Sequence, residues 1–263
     1  MRFVIDAPPY RNSSAGVRVL HRLCHLLNQL GEDAALTTEV LHSPWNTKSS
    51  ARIGPETVVI YPESVSGNPL GASRVVRYFV LSRAGAVSAG GPYTSSDLVV
   101  YLDDWLRESA SISAREILPI SHRLFISVLE PDIFFPRTGV RIVDCVYVGK
   151  AGERAKRFPQ HAPFWRYQIT ERRPTSRDGL ATLLRCTRTL YSYDRTSALP
   201  FEASICGAHV RVVTDSGGLE TSTPWETHAL VREWWDQGLE NVRRFVRIVH
   251  ERWHDRDARP FKA

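Results

Sequence analysis

Apolar residues along this chain fall into two alternating patterns: short continuous runs, and stripes spaced three and four apart. The run at residues 2–6, RFVID, reads as a strand closed by Pro8 and Pro9. After the loop YRNSSAG, residues Leu20, Leu23, Cys24, Leu27 and Leu30 form one stripe of an amphipathic helix that Gly31 ends. DAALTT is a second strand, and the β-branched run ETVVIYPE, bounded by Pro55 and Pro62, is a third and fully buried one. A turn at SGNPLG leads to ASRVVRYFVLSRAG, which is either helical or extended, and then to a strand at SDLVVYLDD.

A second series starts near residue 123. RLFISVL reads as a strand, EPDIFFP as a turn, and RIVDCVYVGKAG as a buried strand entering a glycine loop. FWRYQIT is a further strand, SRDGLATLLRCT a helix with Ser176 as its N-cap, and RTLYSYD another strand. A short helix with Glu202 and the strand AHVRVVT follow, and residues 226–253 read as one long helix striped by Leu239, Val242, Val246, Val249 and Trp253. Strands alternating with helices predict the α/β class, with parallel sheets covered on both faces. Two such series predict two αβ domains, 1–122 and 123–263, with the final helix packing back on the first. Open α/β sheets bind ligands beyond the carboxyl ends of their strands, so two facing sheets would place substrates in a cleft between them.

Composition narrows this picture only a little. The apolar share of 43% and the charged share of 24% suit a soluble globular protein. No apolar run approaches the ~18 residues of a membrane span, and the start lacks the pattern of a secretory signal. Cys24, Cys145, Cys186 and Cys206 have no C-x-x-C spacing and lie within apolar patterns, so reduced, buried cysteines and a cytoplasmic location are expected. The formal charge of +6 comes mostly from arginine and fits a phosphorylated substrate, an anionic membrane surface or nucleic acid. There is no long basic run or nucleic-acid module, so nucleic acid is the weakest of the three.

The segment YSYDRTSALPFEASICG, residues 191–207, carries the most chemistry. Asp194 and Glu202 stand eight positions apart across a turn holding Thr196 and Ser197. That arrangement suits a sugar nucleotide: amides before a helix face phosphate, and a carboxylate further in accepts ribose hydroxyls. In VGKAG, Gly149 permits close backbone approach and Lys150 offsets phosphate charge, although a lysine at such a turn is also commonly just solvated. Asp103 and Asp104 read as a helix cap before Trp105 rather than a metal pair. Glu63 and Asn68 follow a strand, but Asn68-Pro69 also reads as a plain turn. His122 is a lone histidine, more often structural. Trp234, Trp235 and Trp253 are placed on the final helix as interface packing, and Tyr191 and Tyr193 on opposite faces of a strand.

This segment resembles the donor-binding segment of GT-B fold glycosyltransferases, and is similar in particular to family 4 enzymes of bacterial polysaccharide and O-antigen synthesis. The shared pattern is an acid, seven residues, a glutamate, and then Cys-Gly and an apolar strand. NSSAGVRVLHRLCHLLNQLGEDA is similar to that family's N-terminal glycine loop and first helix, and EPDIFFP with VYVGKAG resembles its domain crossover. The resemblance implies two Rossmann-like domains facing a cleft. It gives Glu202 the donor ribose, and Thr196, Ser197 and Ala198 with Gly149 and Lys150 the donor diphosphate. Gly16, beside Ser13 and Ser14, would lie at the same cleft. Asp194 stands where glutamate is commoner, and Lys156 or Arg154 would supply the second cation.

Residues 150–169 leave little room for the usual helix–strand pair, so the C-terminal domain is expected to be trimmed. The implied activity is sugar transfer from a nucleotide-diphosphate sugar to a glycan or lipid-linked acceptor, with retention and with no metal or other cofactor. Peripheral contact with an anionic membrane is implied alongside it. Substituting Glu202 with alanine is expected to abolish turnover and leave the fold intact. A non-catalytic sugar-nucleotide or glycan-binding domain of the same fold is the alternative, motivated by the trimming.

Overall fold

The computed structural model describes residues 1–80, 93–222 and 227–257, with side chains to Trp253. The chain divides into two compact units, one of Met1–Arg11, Gly16–Ile126 and Asp236–Ala263, the other of Asn12–Ala15 and Ser127–Trp235.

The first unit holds a five-stranded parallel sheet of β1 (Arg2–Ile5), β2 (Asp33–Leu36), β3 (Thr57–Pro62), β4 (Arg74–Phe79) and β5 (Leu98–Tyr101). Its order is β2-β1-β3-β4-β5, so the direction of winding reverses between β1 and β3. Every residue of β3, β4 and β5 is buried, as expected for parallel strands covered on both faces. Helix α1 (Ala15–Gln29) buries the predicted Leu20, Leu23, Cys24 and Leu27, and Arg18, His21 and Arg22 besides. Gly31 follows with a left-handed φ of 85°, the usual C-terminal stop. Helix α2 (Asp104–Ala114) starts at the N-cap Asp103.

Several predicted elements differ. RLFISVL is a connector rather than a strand: one bridge joins Tyr101 to Arg123, after which the chain leaves the sheet. Its apolar residues are buried except for Phe125, which is partly so, but its first carbonyls are taken by side chains. Tyr78 Oη donates to Leu124 O at 2.6 Å, and Asn241 Nδ2 to Phe125 O at 2.9 Å. The segment left open between helix and strand is β4 over 74–79, and its continuation 81–85 lies outside the described residues.

The long C-terminal helix is divided. Two helices take its place, here numbered α6 (His228–Asp236) and α7 (Gly238–Asp257), and Glu226 lies outside the described residues. A Cβ at Gly238 would come within 3.2 Å of Arg22 Nη2, so glycine lets α7 begin close against α1. The buried stripe of α7 is Val242, Phe245, Val249 and Trp253, with Leu239 and Val246 at its margins. Trp234 and Trp235 belong to α6, and Trp234 packs on the core of the second unit.

The second unit repeats the strand order of the first. Its sheet is β10-β9-β8-β6-β7, made of β6 (Val143–Tyr147), β7 (Tyr167–Ile169), β8 (Thr187–Ser192), β9 (His209–Val213) and β10 (Leu219–Ser222). All pairs are parallel except the edge hairpin β9–β10. Winding reverses between β6 and β8. Helices α3 (Gly152–Arg157), α4 (Arg177–Cys186) and α5 (Leu199–Ile205) join these strands. The space after Lys150 does hold a helix–strand pair, though α3 and β7 are very short. Ser176 caps α4, its Oγ accepting from Gly179 N at 3.1 Å. Cys24, Cys145 and Cys206 are buried thiols, whereas Cys186, at the end of α4, is exposed. Tyr191 and Tyr193 join the same apolar cluster, since residues two apart on an extended chain share a face. The fold is α/β, with two mostly parallel sheets of doubly wound, Rossmann-like order.

Candidate functional site

Ligands of doubly wound sheets bind outside the carboxyl ends of the strands where the winding reverses. In the second unit that place lies beyond β6 and β8, whose last residues, Tyr147 and Ser192, are paired neighbours. The loop after β6 is Val148–Ala151 and the loop after β8 is Tyr193–Ala198, so the two predicted segments emerge side by side.

Asp194 fastens them together. The residue is only 6% exposed. Oδ2 accepts from the Lys150 amide at 3.0 Å, and Oδ1 accepts from both the amide and the hydroxyl of Thr196 at 3.0 Å. Gly149 turns the first loop with a φ of 53°, and a Cβ there would stand 2.6 Å from Asp194 Oδ2 and 2.8 Å from Tyr147 Cε1. Both the backbone conformation and the available space therefore require glycine. Ser197 Oγ donates to Tyr147 Oη at 3.2 Å. Burial pushes the Tyr147 phenol above its ordinary pKa, against the opposing hydrogen bond from Ser197.

The cations around these loops differ in their commitments. Arg154 bonds to Tyr193 O and to Asp215, and Lys156 pairs with Glu153, so both are engaged within the protein. The Lys150 side chain is exposed and makes no hydrogen bond or ion pair among the described residues. The Ser197 and Ala198 amides donate to no acceptor among the described residues. An exposed ammonium beside amides of this kind is suited to an anion.

Glu202 sits deeper, at 1% exposure, on α5. Arg177 Nη2 donates to Glu202 Oε1 at 2.8 Å, and Arg177 Nε donates to Glu130 Oε2 at 2.6 Å. Burial disfavours the Arg177 cation, but Glu202 and Glu130 outweigh it and hold its pKa above the ordinary value. The guanidinium also lies over the Phe134 ring, 4.3 Å from its centroid. Sequence reasoning missed Arg177 and Glu130. One signal was available: an arginine in the first turn of a helix opposes the helix dipole and calls for nearby carboxylates.

The remaining candidates lie in the first unit. Gly16 is in the first turn of α1, where an added Cβ would meet Val80 at an ordinary 3.5 Å. Glu63 is buried and accepts from Val80 N at 2.9 Å. Asn68 closes a turn, its Oδ1 accepting from Tyr61 Oη and Ala72 N. His122 Nδ1 bonds to Val99 O at 2.8 Å, and burial lowers its pKa. Arg123 pairs with both Asp103 and Asp104, at 2.9 and 3.1 Å.

No protein-family model matches the sequence, and no curated protein matches it either.

Proposed function

We propose that the chain is a glycosyltransferase that uses a nucleotide-diphosphate sugar and extends a glycan or lipid-linked acceptor of a bacterial surface polysaccharide, in a GT-B arrangement. The observation that carries this reading is the joining of two loops by Asp194 at the winding reversal of the second sheet, with Lys150 beside them. In this reading the Lys150 ammonium and the amides of Ser197 and Ala198 receive the donor diphosphate. They stabilise the charge that develops as the nucleotide leaves, which requires no metal. Asp194, Thr196 and Gly149 set the loop geometry.

The resemblance gives Glu202 the donor ribose. Its burial and its bond to Arg177 make it a positioning residue here, one that anchors α5 behind the loops. Retention of configuration follows the resembling family.

A second reading is a sugar-nucleotide-binding domain without turnover. The six-residue α3 and three-residue β7 favour it, because they leave a short arm on that side of the sheet. Calorimetric titration with a panel of nucleoside diphosphates, followed by product release from the matching nucleotide sugars, tests both. Transfer requires binding and turnover, with Lys150→Ala weakening binding at least about tenfold, as for loss of one charge-assisted hydrogen bond. Binding without turnover leaves the second reading. No binding, or binding unaffected by Lys150→Ala, overturns the site.

A further inference from the structure

Residues Pro163–Arg166 form a tight turn, with Arg166 N donating to Pro163 O at 3.1 Å. Its two corners are Phe164, 96% exposed, and Trp165, 63% exposed. Turn corners ordinarily carry glycine, asparagine, aspartate, serine or proline, which water solvates readily. Two adjacent aromatic rings at the apex are therefore an anomaly that a purely structural turn does not need. The Arg166 guanidinium backs the turn: it lies 4.8 Å from the Trp165 ring centroid and 3.6 Å from that of Tyr191, and Nη1 donates to His161 O at 2.7 Å.

The charge around the turn is predominantly positive. Between residues 153 and 173 stand six basic side chains and two acidic ones. Arg154 and Lys156 are paired, but Arg157, Arg172 and Arg173 are exposed and form no ion pair among the described residues. The turn at Thr170–Arg173 begins four residues after Arg166, at most about 14 Å along the chain.

We propose that this turn docks the protein on an anionic lipid surface. Phe164 and Trp165 enter the boundary between headgroups and acyl chains, and the exposed Arg157, Arg172 and Arg173 meet the lipid phosphates. Aromatic rings favour that depth, and basic residues near an anionic leaflet add attraction that salt screens. A second copy of the chain fits less well. Two aromatic side chains bury roughly 150–250 Å² each, well short of the ~800 Å² per partner of a stable interface. The inference does not depend on the transferase reading.

The test is co-sedimentation of the full chain with phosphatidylcholine vesicles, with and without phosphatidylglycerol. The wild type is expected to bind only the anionic vesicles, with affinity falling as salt rises. Brominated acyl chains should quench its tryptophan fluorescence, and Trp165→Phe should remove that quenching. Phe164→Ser/Trp165→Ser should bind at least about tenfold more weakly with an unchanged melting temperature, because both side chains are exposed. Three results overturn the proposal: no binding to anionic vesicles, equal binding by the double variant, or lipid-free self-association that the double variant abolishes.

Discussion

Glu202 shows how burial changes the meaning of a residue. Its place eight positions after Asp194 marks it as a ligand group, and on that basis an alanine there should leave the fold intact. The structure changes the expected result. Glu202 and Glu130 hold Arg177 from two sides, and all three side chains are almost inaccessible to water. Without Glu202 the Arg177 charge is still compensated by Glu130, but Nη2 loses its acceptor away from water, and a buried donor left unsatisfied costs about 1–3 kcal/mol. Glu202→Ala should therefore lower the urea midpoint of unfolding steeply, whereas Lys150→Ala, at an exposed position, should leave it within error. Equal midpoints for Glu202→Ala and wild type would show that the pair contributes nothing. Loss of activity in Glu202→Ala alone is thus not evidence for a ribose contact.

At the scale of elements, legibility followed the strength of local signals. Strands β1 and β3 and helix α1 were readable because a buried run, a stripe or a terminating glycine marks each of them. The RLFISVL connector was not, because burial makes an apolar run whether or not neighbouring strands pair with it. The break between α6 and α7 was invisible because Gly238 answers to the packing of Arg22, which lies more than two hundred residues earlier. The loops of the candidate site were legible as loops, but their joining by Asp194 depends on strand order, which no local pattern encodes.

Helix α4 was the clearest prediction, and its cap now has a consequence. Ser176 Oγ satisfies Gly179 N at the turn that aims Arg177 inward. Ser176→Ala should cost about 1 kcal/mol in chemical denaturation, the usual value of such a cap. No change in midpoint would show that solvent replaces the hydroxyl fully.

Across the whole molecule, one strand order serves two units whose shifted titratable groups differ, and this separates their responses to acid. In the first unit His21, His25 and His122 all have pKa values lowered mainly by burial, with the Arg22 and then the His42 charge adding to the effect at His25 and the His42 charge adding at His21. His21 is fully buried with Nε2 3.0 Å from Pro8 O, and that contact opposes the shift only in part. A histidine whose folded pKa lies below its unfolded one stabilises the fold fully above the unfolded value, near pH 6.5. That contribution is lost as pH falls from there through the folded pKa, because the unfolded chain binds the proton more readily.

In the second unit the resolved carboxylate shifts are also downward, but they act in a more acid range. Arg232 lowers the pKa of Asp132 and Arg188 that of Asp144, each chiefly through a hydrogen bond. Their contribution holds above the unfolded carboxylate pKa, near pH 4, and is lost only below it. Acidification from pH 7 to pH 5 should therefore weaken the first unit while the second keeps its stability. Amide hydrogen exchange compared at the two pH values, after correction for the intrinsic rate, measures this unit by unit. Protection should fall in β1, β3 and α1 and persist in β6, β8 and α5. Loss that begins in β6 and β8, or that is equal in both units, would remove the buried histidines as the cause.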